Sequence, residues 1–112
     1  VLKLLYKNTS FLFTGDIEEK AEINLLNWDN LLKSDILKVA HHGSITSSTE
    51  CFIEKVRPEV AVISVGLNNF NHPHQDILER LDCCCRRVFR TDCNGTVLID
   101  SNGQKYKIKT LR

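Results

Sequence analysis

The sequence predicts an α/β fold built on a mixed sheet. Short apolar runs alternate with amphipathic segments, and polar loops rich in Gly, Asn, Ser and His follow the apolar runs. At 112 residues the chain makes one domain, 1–112, long enough to bury roughly 60–70% of its unfolded surface. A content of 42% hydrophobic and 26% charged residues with a net charge of +1 excludes both a disordered chain and a histone-like basic nucleic-acid binder. No apolar run approaches the roughly 18 residues that would span a bilayer, and the first residues lack the layout of a signal peptide, so these residues are expected to be soluble.

Taken in order, "VLKLLY" and "FLFT" are strands separated by the turn-prone "KNTS", which predicts an opening hairpin. Ile17, Ala21, Leu25 and Trp28 then form a helical stripe, with Glu18, Glu19 and Glu22 near its start where the helix dipole favours acids. "DILKVA" is the next strand. The loop His41–Thr46 follows it, and a helix begins near Ser47, which is spaced from Glu50 as a capping box. Pro58 closes this helix, "VAVISV" is a strand buried on both faces, and "GLNNFN" is a polar loop. Pro73 suits the first turn of a third helix with His72 near its N-cap and Ile77, Leu78, Leu81, Cys84 and Cys85 on one apolar face. "RVFRT", "TVLID" and "QKYKIK" are three short strands joined by the tight turns "DCNG" and "SNG". Lys105, Lys107 and Lys109 alternate with Tyr106 and Ile108, which fits a solvated strand face better than a DNA-binding stripe. The predicted order is β-β-α-β-α-β-α-β-β-β.

Five cysteines are present. Three are adjacent, at Cys83, Cys84 and Cys85, where an ordered disulfide framework is sterically awkward, so a reducing compartment is favoured. Cys51 and Cys93 supply no paired zinc spacing, which leaves the cysteines structural or incidental.

Polar groups follow successive strands: Asp16 in "TGD", His41 and His42 in "HHGS", and His72 and His74 in "NHPH". Open α/β sheets place ligands at strand C-terminal ends, and all four histidines of the chain lie in these loops. Imidazoles with a carboxylate are a donor set for zinc or a related divalent metal. Read singly, Asp16 is equally a helix-capping turn residue, the histidine pair needs no ligand role, and His72 is a plausible helix cap. Gly43, Ser44, Thr46, Ser47 and Ser48 form either an anion seat for phosphate at a helix N-terminus or a simple capping loop.

Together, "FLFTGDIEEKAE", "LKSDILKVAHHGSITSS", "VRPEVAVISVGLNN" and "NHPHQDILERL" resemble the C-terminal metallo-β-lactamase-like domain of the ComEC family of DNA-uptake proteins, over about Phe11 to Asn102. The resemblance implies the αββα sandwich of the metallo-β-lactamase superfamily, of which these residues look like the C-terminal half. It also implies a hydrolase with a two-metal site, zinc or manganese, that cleaves DNA phosphodiester bonds during competence-related uptake and transformation. Asp16 matches the superfamily's metal-ligating aspartate, able to bridge two ions. "VAHHG" is similar to the superfamily's late histidine loop, with His42 as ligand and His41 as its neighbour. In a second alignment, "HHGS" and "HPH" match the two histidine loops of β-CASP nucleases, where the first touches phosphate and the second reaches the metal.

The resemblance thus implies metal ligands among Asp16, His42, His72 and His74, with His41, Ser44 or His74 orienting phosphate or donating a proton. The superfamily's principal H-x-H-x-D-H motif does not occur in the 112 residues. The expectation is therefore a second half whose partners are DNA, an N-terminal half-domain and the membrane channel of a bacterial inner-membrane parent. Alone, it would bind metal weakly and turn over little DNA. The alternative is a truncated or degenerate half-domain that acts as a nucleic-acid-binding or interaction module. Either way, uncovered apolar strand faces at Leu2, Leu4, Val62 and Ile63 are expected to drive self-association.

Overall fold

A computed structural model of Val1–Arg112 describes the whole backbone and all side chains except that of Asp29. Strands β1 (Leu2–Tyr6) and β2 (Thr9–Phe13) form the opening antiparallel hairpin. Its turn is shorter than expected, because Thr9 and Ser10 join the ladder. The Ser10 amide and hydroxyl both donate to Asp35 at 2.8 Å, tying the start of β2 to the chain just before β3 (Ile36–Lys38).

Helix α1 (Glu19–Leu25) passes through a 3₁₀ turn, Leu26–Trp28, into the short α2 (Asp29–Leu32). Ile17 and Leu25 pack against the core as their spacing predicts, but Trp28 is exposed. The tighter turn shifts the helical period just before it. Next come α3 (Glu50–Val56), β4 (Val60–Ile63), α4 (Gln75–Cys84) and β5 (Arg87–Arg90). A short α5 (Thr91–Asn94) stands where "DCNG" predicted a tight turn, because the Asn94 side chain accepts the Arg90 amide at 2.8 Å and closes a helical turn instead. Strands β6 (Val97–Ser101) and β7 (Tyr106–Thr110) end the chain, with Lys105, Lys107 and Lys109 exposed.

The main sheet runs β1-β2-β3-β4-β5, antiparallel at the first pair and parallel thereafter, and β6 and β7 form a separate antiparallel ribbon. Register places Leu12, Leu37 and Ala61 in one row across the sheet. Phe52, Ile53 and Val56 of α3 and Ile77 and Leu81 of α4 cluster with that row, all essentially without exposure. Each such side chain contributes about 1.5–3 kcal/mol by leaving water. Ile77, Leu78, Leu81 and Cys85 lie in or against the core as predicted, and Cys84 departs from that face. Leu78 is partly buried, Cys84 is exposed, and Cys85 lies past the last turn as the C-cap, its thiol pushed up to about 11 by burial first and by Cys84 and Asp82 next.

The opposite sheet face is also apolar. Phe11, Phe13, Ile36 and Val62 line a recess of about 240 Å³ with Val97 and Ile99 of the ribbon. Beyond the ribbon, Leu2 and Leu4 are 64% and 50% exposed. Val62 is partly covered, whereas Ile63 is fully buried. Strand alternation turns Ile63 to the helical side, so it does not belong to the uncovered face the sequence suggested. Among the described residues, no helix is long and apolar enough to cross a membrane.

Candidate active site

Parallel order carries the ends of β2, β3 and β4 to one rim of the sheet, where the polar loops gather. After β3 the chain makes a turn over Ala40–Gly43 in which His41 and His42 are both left-handed, with φ of 48° and 56°. Backbone bonds hold the turn in place. The His41 amide donates to Gly15 at 2.9 Å, and the Gly43 carbonyl accepts the His74 amide at 2.9 Å. Gly43 itself has φ +83°, and a Cβ there would meet the Pro73 Cβ at 2.5 Å. Gly43→Ala is therefore expected to push the two histidine loops apart and cost about 2–4 kcal/mol, read as a lower urea midpoint together with shifted His41 and His72 imidazole resonances. An unchanged midpoint would show that the loops are not in close contact.

His42 is the best-defined group on the rim. Its Nδ1 lies 2.7 Å from the Ser64 carbonyl oxygen, which can only accept, so Nδ1 carries the proton. In the neutral ring Nε2 then holds a lone pair, and this atom lies 3.7 Å from Asp16 Oδ1. Two electron-rich atoms thus face each other with a backbone carbonyl bracing the imidazole, an arrangement suited to a cation between them. The donor chemistry of Asp16 and His42 fits a divalent metal. Among the described residues, however, no group of three or more His, Cys, Asp or Glu is placed to hold one.

His41 and His72 approach the same rim. Their rings are 5.6 Å apart edge to face, and the His41 ring lies 6.5 Å from that of His42. Local desolvation, then repulsion from His41 and His42, holds the His72 pKa below the ordinary imidazole value. His41 Nδ1 is buried without a hydrogen bond, and its nearest acid is Glu18 Oε1 at 3.4 Å. Glu18 accepts the Thr46 hydroxyl at 3.1 Å, and Thr46 in turn bonds Ser44 Oγ at 2.9 Å.

Two residues expected on the rim are committed elsewhere. Ser44 is 4% exposed, and its hydroxyl is spent on Thr46. His74, rather than His72, is the N-cap of α4. Its Nδ1 accepts the Asp76 amide at 3.1 Å, which leaves its other ring nitrogen protonated and unable to ligate in the neutral form. The shift follows from Pro73, which packs beside Gly43 and delays the helix start to Gln75.

The anion seat among the serines is also filled from within. Glu22 is fully buried and accepts the Ser48 amide, the Thr49 amide at 2.9 Å and the Thr49 hydroxyl at 2.8 Å. Thr49, not Ser47, is the N-cap of α3, and the Ser47 hydroxyl donates to the Ile17 carbonyl at 2.6 Å. Sequence reasoning also missed Lys38. It ends β3 with its pKa lowered by burial and opposed by attraction to Asp16. The available signal was a lone cation inside the apolar run "DILKVA".

The family model of the metallo-beta-lactamase superfamily matches residues 1–66. The chain belongs to that superfamily. It is 46% identical over 89 residues to ComE operon protein 3 of Bacillus subtilis, which takes in 79% of this chain and 12% of the relative. It is 38% identical over 104 residues to Recombination protein 2 of Haemophilus influenzae, with 92% and 13% covered. To Competence protein ComA of Neisseria gonorrhoeae it is 33% identical over 114 residues, with 100% and 16% covered. The resemblance to ComEC-type competence proteins seen in the motifs therefore holds, and the chain spans 12% to 16% of the length of these relatives. No solved structure matches it.

Proposed function

We propose that this chain is the later part of a divalent-metal-dependent hydrolase that cleaves DNA phosphodiester bonds in competence-related uptake. The observation that carries the reading is the braced His42, whose proton-bearing nitrogen is held by Ser64 so that the other faces Asp16. Asp16 and His42 would hold zinc or manganese, which when bound would lower the pKa of a water to about 7 and polarise a phosphoryl oxygen.

The remaining groups act on the substrate. His72, kept neutral, and His41, beside the Glu18 carboxylate, would donate to phosphate oxygens, and Lys38 would add positive charge on the Asp16 side of the rim. Two donors leave a coordination sphere incomplete, so in this reading further ligands come from an N-terminal half-domain packed on the open apolar face at Leu2, Leu4 and Phe13. The name of the Neisseria gonorrhoeae relative supports competence as the setting, and DNA as the partner is what the motif resemblance implies.

Imidazole ¹⁵N spectra test this without requiring turnover. Added zinc is expected to shift His42 Nε2 and leave Nδ1 in its hydrogen bond, and a short single-stranded oligonucleotide is expected to shift His41 and His72. Metal-induced shifts at His74 with none at His42, or no response of the rim to DNA, would overturn the reading.

A further inference from the structure

Between β4 and α4 the loop 64–74 carries two large apolar side chains into solvent beside the site, Leu67 fully exposed and Phe70 77% exposed. Exposed apolar area of this kind leaves burial energy unused, and the loop that carries it is held by its own hydrogen bonds. The Asn68 side chain donates to the Gly66 and His72 carbonyls at 2.9 and 2.8 Å and accepts the Phe70 and His72 amides at 3.0 Å each. Four bonds from one amide hold Phe70 in a set place, its ring 5.7 Å from that of His72.

An open recess of about 210 Å³ results, lined by Val65, Leu67, Phe70, His72 and His42. Its lining is mainly apolar and includes an aromatic ring, Phe70, and His42, the braced group of the rim. A nucleobase has a matching surface, with a π face to stack and a polar edge, and it is tethered to the phosphodiester that the rim would bind. We infer that this recess takes an unpaired base of single-stranded DNA, stacked on Phe70, next to the phosphate held at His41 and His72 and the metal held at His42. The inference rests on the DNA reading above and adds a base-stacking subsite at Phe70 beside the rim. Duplex bases are already stacked and cannot enter.

Binding is measured by NMR titration for the wild-type chain, Phe70→Ala and Phe70→Trp. The probes are a short oligothymidylate, an abasic strand of the same length, and a hairpin duplex. Phe70→Ala is expected to weaken oligothymidylate binding about five- to a hundredfold, leave the abasic strand and the duplex unchanged, and be rescued by tryptophan. Because Phe70 is exposed, its removal should leave the unfolding midpoint unchanged. Equal affinity of the wild type for oligothymidylate and abasic strand, or equal loss on both in Phe70→Ala, would overturn the stacking while the DNA reading stands. Failure of the wild type to bind any of the three probes would overturn both.

Discussion

Replacing Glu22 with alanine should destabilise the fold by about 3–5 kcal/mol, the largest effect expected of any single substitution outside the apolar core. Its carboxylate is fully buried and accepts three donors, two of them the amides that enter α3. Truncation strands the buried Ser48 N–H, takes the partner from the half-buried Thr49 N–H, and removes the negative charge that the positive end of α3 favours. Glu22→Gln keeps the shape but turns an NH₂ toward at least one donor, so it should recover about half of the loss. Urea unfolding reads both, with the midpoint lowered and the slope unchanged. A midpoint for Glu22→Ala equal to wild type would mean that the cap is replaceable. The consequence extends past stability, because Glu22 anchors Ser48 and Thr49 at the far end of the loop that begins with His41.

Asp16→Ala and His42→Ala should each weaken zinc binding by about 100-fold or more, whereas His74→Ala should leave it unchanged and cost only about 1 kcal/mol of stability through its cap. The asymmetry follows from ring chemistry. His42 has its proton on the nitrogen bonded to Ser64 and its lone pair toward Asp16, whereas His74 uses its lone pair on Asp76. Calorimetric titration of the three variants separates the cases. Equal losses for His42→Ala and His74→Ala would refute the assignment and restore the alignment in which "HPH" reaches the metal.

Local pattern was enough for the strands. Apolar-rich runs of four to six residues bounded by polar loops located β1 to β4, and the placement of Asp16 and His42 after successive strands followed from chain order alone. What the sequence hid depends on partners far along the chain. Glu22 reads as one of three acids at a helix start, because nothing local distinguishes a carboxylate facing solvent from one folded under residues 48 and 49. Ser44 reads as a free hydroxyl because its partner, Thr46, is set by a bond to Glu18, far earlier in the chain. His72 and His74 exchanged roles because Pro73 is held by Gly43, a contact between loops thirty residues apart. Cys84 was wrongly placed on α4's apolar face because helical periodicity says nothing about where a helix stops.

The paired left-handed residues at His41 and His42 set stability against chemistry. An L-residue in that region costs about 1–2 kcal/mol relative to its ordinary conformations, and here two consecutive imidazoles occupy it, followed by Gly43 with φ +83°. Glycine at either histidine would remove the penalty without disturbing the Gly15 or His74 backbone bonds, at position 42 with loss of the Ser64 hydrogen bond. A library of this chain sorted only for heat resistance should therefore accumulate glycine at positions 41 and 42, improving the fold while erasing the imidazoles. Any programme of thermal improvement would have to hold those two codons fixed and seek its gains on the far side of the sheet.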